Sequence, residues 1–411
     1  MYAAAVRGAD PEAAVSRALA GAPLPERVWI IAMGKAAVPM ARGAIGYLQR
    51  AGRPAAGGIV VAPRTTEATD LPFPVVSGSH PLPDSDSTAA AEAIGALIAR
   101  IEPGSAVRVL LSGGASSLVG APVTGISLRA LRETFRAISR KGLDIAAANV
   151  IRRRFLRWGG GRLAAALRHA DVQVLAISDV PGDDAATIGS GPCLPDPLSA
   201  AEVRERMLLE GLLEQLPAEV AQWIDRACIG QEPETPKPQE FSFPLHDVIL
   251  RNADALRAIA DEARRRNYFA DVIGTIEGEA RDVGAGIGAR LRESTPGSCL
   301  LWGGESTVTL GGSAGRGGRS QELALAAAQE LAGSRAALLA AGTDGRDGPT
   351  DAAGAVVDGT TAEKLRAASV DVAAALSRHD TYPALEAAGA LFRPGPTGTN
   401  VMDVVIGLCP R

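Results

Sequence analysis

Short apolar runs that end in glycine recur along the chain, and each is followed by a helix-like segment. Val28–Met33 is uniformly apolar, as expected for a strand that is covered on both faces. Gly34, Lys35 and a helical pattern follow it, and residues 107–111 lead in the same way into a glycine and serine loop. Strands that alternate with helices predict an α/β fold with largely parallel sheets.

The length of the chain and one proline-rich stretch predict two domains. A chain of 411 residues is longer than one ordinary core needs, and residues 230–244 lack any periodicity. We therefore expect a Rossmann-like α/β domain over residues 1–235 and a second α/β domain over residues 236–411. Because open α/β sheets bind ligands at the carboxyl ends of their strands, we expect the active site in a cleft between the domains.

Charge and composition exclude several classes of partner. The net charge of −4 leaves no broad basic surface for nucleic acid. We find no apolar run of the roughly 18 residues that a membrane span needs, and no signal-peptide core at the N-terminus. The four cysteines and four histidines show no metal-ligand spacing. We therefore expect a cytoplasmic protein that binds neither nucleic acid nor a membrane.

A glycine-rich loop between an apolar run at residues 299–302 and a helical run from Arg319 is the strongest candidate for an anion site. The start of a helix offers unpaired backbone N–H groups, and Gly317 and Gly318 would let a phosphate approach them. The guanidinium of Arg319 would add a fork suited to an anion. Residues 306–310 look like a further strand. The alternative is a mobile glycine hairpin with arginines facing solvent.

Two loops in the first half offer a second set of anion-binding groups. One contains Gly34 and Lys35, and the ammonium of Lys35 suits a phosphate oxygen. The alternative is a lysine at the start of a helix whose ammonium extends into water. The other loop offers backbone N–H groups and hydroxyls for a phosphate or carboxylate. Its candidate residues are Ser112, Gly113, Gly114 and Ser116. Leu118 stands where a nucleophile elbow would need glycine, so a serine hydrolase is not expected.

Aspartates cluster after two of the predicted strands. The first group follows residues 172–177 and could hold Mg²⁺ or position a substrate hydroxyl, with an ordinary turn capped by Asp184 as the alternative. Its members are Asp179, Asp183 and Asp184. The second group follows residues 337–341 and would line the other side of the site together with Glu305. Its members are Asp344, Asp347 and Asp351.

The candidate lysine, arginine, aspartates and glycine-rich loops together favour phosphoryl transfer. This reaction requires positioning and charge neutralisation more than a covalent centre. No GxxxxGK[ST] motif is present, so the chain is not a P-loop enzyme, and no GxGxxG opens a helix.

Several segments in order along nearly the whole chain resemble the MOFRL-containing glycerate 2-kinases. They are GKAAVPMA (34–41), LLSGGASSLVGAP (110–122), SDVPGDDAATIGSGP (178–192), ETPKP (234–238), GGESTVTL (303–310), GRGGRSQELALA (315–326), GTDGRDGPTDAAGAVVDG (342–359) and GPTGTNVMD (395–403). The resemblance implies a MOFRL-type C-terminal domain and a kinase that uses ATP and Mg²⁺ to convert D-glycerate into 2-phosphoglycerate. It implies that Lys35 and Arg319 are the catalytic pair. We add Asp179 as a catalytic residue, and Arg152 matches the family pattern as a ligand-binding residue.

The chain departs from that family pattern in one region. A glutamate, a histidine, a serine and a lysine of the relatives are Ala147, Arg154, Leu156 and Gly159 here. Arg154 or Arg162 could replace the lost positive charge. The expected ligands are a small hydroxy acid and a nucleotide, with a homodimer left open. Two alternatives remain: an NAD(P)H-dependent hydroxypyruvate reductase, and a diverged sugar-acid-binding relative with low activity.

Overall fold

A computed structural model describes the chain except for residues 22, 24, 65–69, 144 and 311–314. The described residues form two compact units. The N-terminal unit comprises residues 11–178 and 182–250, and the C-terminal unit comprises residues 1–10, 179–181 and 251–411.

The elements are numbered along the chain. The helices are α1 Tyr2–Gly8, α2 Pro11–Ala20, α3 Ala37–Arg50, α4 Ser85–Ile98, α5 Ala115–Leu118, α6 Leu128–Lys141, α7 Ile145–Phe155, α8 Arg162–Ala166, α9 Ala200–Leu209, α10 Ala218–Cys228, α11 Asn252–Arg265, α12 Ala280–Arg292, α13 Arg319–Glu330, α14 Thr361–Ala367, α15 Val372–Ser377 and α16 Thr381–Ala387. The strands are β1 Val28–Met33, β2 Gly57–Pro63, β3 Val75–Gly78, β4 Ala106–Leu111, β5 Asp171–Ile177, β6 Leu245–Leu250, β7 Phe269–Ile276, β8 Ser298–Gly304, β9 Ala337–Gly342, β10 Gly354–Asp358, β11 Leu391–Phe392 and β12 Asp403–Leu408.

The sheet of the N-terminal unit is parallel throughout its described strands, in the order β3-β2-β1-β4-β5-β6. Strands β1 and β4 lie in its centre and are fully buried, which explains why β1 is uniformly apolar and β4 is apolar except for Arg108. They pair in register, with Met33 opposite Leu111. The loops that follow these two strands therefore start side by side at one edge of the sheet.

Strand β6 belongs to this first sheet, although the sequence placed residues 247–250 in the second domain. It pairs in parallel with β5, with Asp247 opposite Leu175. The proline-rich stretch thus connects α10 to β6 within the N-terminal unit, and the predicted boundary at 235/236 falls inside this connection. Composition marked the loop correctly but could not show with which sheet the following strand pairs.

The sheet of the C-terminal unit is mixed, in the order β11-β10-β9-β12-β8-β7. Strand β12 runs antiparallel to both of its neighbours, β10 runs antiparallel to β9 and β11, and β7 is parallel to β8. The α/β class is confirmed, but the expectation of largely parallel strands fails here, because β9 and β10 are joined by a loop without a crossover helix. The predicted strand at 306–310 is absent from the described structure apart from an isolated bridge between Thr307 and Glu279.

Helix α13, which begins at Arg319, is deeply buried in the C-terminal unit. Its residues from Ser320 to Ala328 are all buried. It lies against α12 so closely that a Cβ on Gly284 would stand 2.2 Å from the Leu323 carbonyl oxygen, and one on Gly288 would stand 3.0 Å from that of Ala327. Packing this tight fixes the axis of α13 and hence the position of its first residue, Arg319.

The N-terminal helix α1 packs on α11 in the C-terminal unit. A Cβ on Gly8 would overlap the side chain of Ala258 in α11, at 2.2 Å. The Tyr2 hydroxyl donates to the carbonyl oxygen of Gly342, at 2.7 Å, and so holds the end of β9. None of the helices in the described part of the chain is long and apolar enough to cross a membrane.

Candidate active site

The loops after β1 and β4 are hydrogen-bonded to each other. The Lys35 N–H donates to the Gly113 carbonyl oxygen at 2.9 Å, and the Ala36 N–H donates to Ser112 Oγ at 3.0 Å. Gly34 has φ of 125°, and a Cβ there would lie 2.2 Å from Ser112 Oγ. The amides of Lys35 and Ala36 are therefore used within the protein, and they fix the backbone from which the Lys35 side chain extends.

Lys35 and His80 flank Gly114. A Cβ on Gly114 would stand 3.1 Å from His80 Cδ2 and 3.2 Å from Lys35 Cγ. Burial, together with the charges of Lys35 and Arg152, lowers the pKa of His80 to about 4. The imidazole is therefore neutral at neutral pH. The sequence prediction did not include His80, although it follows β3 as the other candidates follow β1 and β4.

Arg152 on α7 is a desolvated cation beside this cluster. Its guanidinium carbon lies 5.1 Å from the centre of the Phe135 ring. Its Nε atom is buried and has no hydrogen-bond partner among the described residues. Burial lowers the pKa of Arg152, and among the described residues no carboxylate offsets this cost. A buried donor of this kind fits an anionic ligand, as the prediction for Arg152 requires.

A hydrogen-bonded chain connects Ser116 to the first aspartate group. Ser116 Oγ lies 2.6 Å from Ser190 Oγ, which donates to Asn149 Oδ1 at 3.2 Å. Asn149 Nδ2 donates to the Thr187 carbonyl oxygen at 3.0 Å, and Thr187 Oγ1 donates to Asp184 Oδ2 at 2.9 Å. Asp184 Oδ1 also accepts the N–H of residue 186 at 3.0 Å. Asp184 thus forms the capped turn that was the alternative to metal binding.

The other two predicted metal ligands fall into different units. Asp179 groups with the C-terminal unit, where its Oδ2 accepts Asn400 Nδ2 at 3.0 Å. Asp183 has a left-handed backbone, with φ of 56°. Within the described chain, no group of three or more His, Cys, Asp and Glu side chains could hold a metal ion. A magnesium site at these aspartates therefore stays a prediction.

In the C-terminal unit, Arg319 is held by two carboxylates. Its Nε atom lies 2.5 Å from Asp403 Oδ2 and its Nη2 atom 3.1 Å from Asp403 Oδ1, which forms a two-bond fork. Its Nη1 atom pairs with Glu305. Burial alone would lower the pKa of Arg319, but Asp403 and Glu305 outweigh it and raise that pKa. Asp403 was absent from the predicted site.

Asp347 occupies the helix start at which the sequence predicted a bound anion. Its carboxylate accepts the N–H groups of Ser320, at 3.2 Å, and Gln321, at 2.8 Å. A Cβ on Gly318 would stand 2.3 Å from Asp347 Cγ, so the glycine makes room for this carboxylate. The first amides of α13 are thus capped internally, and the prediction of a phosphate there has to be corrected. Burial and the charge of Asp403 raise the pKa of Asp347 to about 7.

The other two aspartates of the second group form hydrogen bonds within the protein, and Gly317 packs closely against Thr381. Asp344 Oδ1 accepts the Arg346 N–H at 3.0 Å in a turn. Asp351 accepts the Tyr382 hydroxyl at 2.6 Å, which lowers the pKa of Asp351. A Cβ on Gly317 would stand 2.3 Å from the Thr381 Oγ1 atom. Residues 311 and 312 of the glycine-rich loop lie outside the described residues.

Arg154 and Arg162 do not replace the charge that the divergent region lacks. Arg154 is fully buried and pairs with Glu234 and with Asp196, whose Oδ2 lies 3.4 Å from its Nη2. Arg162 donates to main-chain carbonyl oxygens, among them that of residue 153 at 3.0 Å. A Cβ on Gly159 would stand 2.8 Å from that same carbonyl oxygen, so this backbone has no room for a side chain there.

Replacing Arg154 with leucine should destabilise the protein by about 3–5 kcal/mol, because Asp196 is fully buried and would lose its main counter-charge. Chemical denaturation followed by fluorescence measures this change. Arg204→Leu, which breaks an exposed pair with Asp225, is the matched control and should change the midpoint little. An unchanged midpoint for Arg154→Leu would show that this buried ion pair is not needed for stability.

Two sequence families match the chain. One is described as a domain of unknown function, DUF4147, and matches residues 1–225. The other is described as the MOFRL family and matches residues 298–403.

Individual relatives match nearly the whole length. A glycerate 2-kinase of Pyrococcus horikoshii is 37% identical over 393 residues, covering 93% of this chain and 87% of its own. A putative hydroxypyruvate reductase of Agrobacterium vitis is 36% identical over 415 residues, covering 98% and 92%. The crystal structure of a glycerate kinase from Thermotoga maritima superposes with a TM-score of 0.84 at 33% identity, over 99% of this chain and 97% of the other.

Proposed function

The chain belongs to the MOFRL-containing glycerate kinases, phosphotransferases with an alcohol acceptor, and on that premise we propose that it phosphorylates D-glycerate. The donor is ATP with Mg²⁺, and the product is 2-phosphoglycerate. The observation that carries the proposal is the pair of Lys35 and neutral His80 beside Gly114, together with the buried Arg152, whose charge acts on His80. Both substrates of a glycerate kinase are anions, and Lys35 and Arg152 offer them positive charge.

In the proposed reaction, the substrate hydroxyl oxygen attacks the γ-phosphorus and the bond to the ADP oxygen breaks. The hydroxyl proton is released, and ADP leaves with the bonding electron pair. Lys35 and Arg319 neutralise charge on the transferred phosphoryl group, while Arg152 holds the carboxylate of the hydroxy acid. Ser116 uses its hydroxyl proton in the bond to Ser190, whose own proton goes to Asn149, so Ser116 can only accept a hydrogen bond from the ligand.

Magnesium would neutralise charge on the nucleotide phosphates. Asp179 and Asp183 supply the carboxylates that we propose for it, since both oxygens of Asp184 are used in its turn. Because the described residues contain no preassembled metal group, we propose that the ion arrives bound to ATP.

The reductase alternative gains no support. One relative carries the name of a putative hydroxypyruvate reductase, but this sequence has no dinucleotide-binding glycine motif at the start of a helix.

The deciding experiment incubates the protein with ATP, Mg²⁺ and a panel of small 2-hydroxy acids, and measures ADP release. We expect D-glycerate to give the fastest release, with little in its absence. An enolase-coupled readout tests whether the product carries phosphate at the 2-position. If the protein consumed NADH when hydroxypyruvate was added without ATP, this would support the reductase instead. A melting shift with glycerate but no product would indicate a binding protein without kinase activity.

A further inference from the structure

The two carboxylates that hold Arg319 differ in burial. The side chain of Asp403 is 6% exposed, and that of Glu305 is 34% exposed. They also take different atoms of the guanidinium: Asp403 binds Nε and Nη2, whereas Glu305 binds Nη1. The same cation therefore has one deeply buried partner and one partner that solvent can reach.

Asp403 is fixed by the sheet around it. It is the first residue of β12 and pairs with Gly304 on one side and Gly342 on the other. The side-chain amide of Asn252 donates to its carbonyl oxygen at 3.0 Å. Asp403 therefore cannot move without disrupting its own strand and the two neighbouring strands, and its fork sets the plane of the Arg319 guanidinium.

Glu305 is more accessible to solvent than Asp403. It follows the end of β8, and its N–H donates to the Ile276 carbonyl oxygen at 3.1 Å, but its carboxylate is partly in solvent. Because water reaches the partly exposed carboxylate of Glu305, an incoming anion can compete with it for Nη1.

The negative charges around Arg319 mean that Glu305 has to leave Nη1 before a phosphate can bind there. Two carboxylates face one guanidinium, and Asp347 is close enough for its charge to act on Arg319. A phosphate that approached Nη1 would meet the negative charge of Glu305 in the same place. As long as Glu305 stays there, Arg319 can do little to neutralise a phosphoryl group.

We propose that Asp403 is a positioning residue that orients Arg319 permanently, and that Glu305 is an exchangeable counter-ion that a ligand phosphate displaces from Nη1. This inference rests on the proposed function for the identity of the phosphate donor, and it gives Glu305 a role opposite to that of a ligand-binding residue. Removing the charge of Glu305 should strengthen phosphate binding, whereas removing the charge of Asp403 should weaken catalysis.

The first part of the test is the binding of inorganic tripolyphosphate and of a non-hydrolysable ATP analogue with Mg²⁺, measured by calorimetry. Glu305→Gln should tighten binding by about two- to five-fold, the scale of one partly exposed ion pair. Glu262→Gln is the matched control, because Glu262 pairs with Arg265 and Arg266 on the surface of the same unit. It should leave Kd unchanged.

The second part is the kinetics of Asp403 variants. Asp403→Asn should lower kcat by about 10²-fold, with a smaller change in KM, because a misdirected guanidinium fails mainly in the transition state. If this variant is poorly folded, Asp403→Glu retains the charge but shifts the fork, and kcat should fall while the melting temperature holds. A normal kcat in a folded Asp403→Glu variant would contradict the positioning role.

The outcomes separate this inference from the proposed function. Unchanged or weaker tripolyphosphate binding by Glu305→Gln would overturn the exchange, and so would a large loss of kcat with unchanged Kd, since Glu305 would then act on the reacting groups. Tighter binding by Glu305→Gln in a protein that releases no ADP with any hydroxy acid would support the exchange and reject the kinase.

Discussion

Replacing Lys35 with alanine is expected to slow ADP release by about 10³-fold or more, the range known for cations that act on a transferred phosphoryl group. The main chain of Lys35 is fixed by its bond to Gly113 and by the packing of Gly34 on Ser112, none of which needs the side chain. The substitution should therefore remove one charge and leave the loop in place. Steady-state kinetics with D-glycerate and ATP measure the effect.

Lys141→Ala provides the control for this variant, since Lys141 is an exposed lysine at the end of α6 in the same unit. Its turnover should match that of the unaltered protein. A second readout does not depend on activity: the charge of Lys35 helps to lower the pKa of His80, so in Lys35→Ala that pKa should rise from about 4 towards its usual value. An NMR titration of His80 measures it. Near-normal turnover would remove Lys35 from the mechanism.

The first cluster could be predicted from sequence because one rule suffices for it. Buried parallel strands end at the same edge of a sheet, so the loops that carry Lys35 and Ser112 were expected at one edge, and the structure adds that β1 and β4 are neighbours. What the pattern could not show is that the N–H groups of Lys35 and Ala36 bond to the loop after β4.

The second cluster was harder to predict because its partners depend on strand direction. Asp403 meets Arg319 because β12 lies antiparallel between β8 and β9, and apolar periodicity carries no information on that arrangement. The three aspartates of residues 343–351 looked equivalent in the sequence. In the structure Asp344 closes a turn, Asp347 caps α13 and Asp351 binds Tyr382, and burial and distant partners decide among these roles.

Replacing Arg319 with lysine is expected to lower kcat by about 10²- to 10³-fold even though the positive charge is kept. Lysine has no planar fork, so it cannot reproduce the two bonds to Asp403 and still present a nitrogen where Nη1 lies. Kinetics of Arg319→Lys measure the loss, and the melting temperature shows whether Asp403 stays paired. A lysine variant with nearly full activity would mean that position 319 needs only charge.

A double-mutant cycle with Asp403→Asn tests the geometric cause. If Asp403 acts by orienting Arg319, the loss of kcat in the double variant should be well below the product of the two single losses, because a lysine has no fork left to misdirect. Asp261→Asn, which removes an exposed partner of Arg264, should instead combine with Arg319→Lys without coupling. Independent losses from Asp403→Asn and Arg319→Lys would mean that Asp403 affects catalysis by a route other than Arg319, and the two-carboxylate description of this site would then fail.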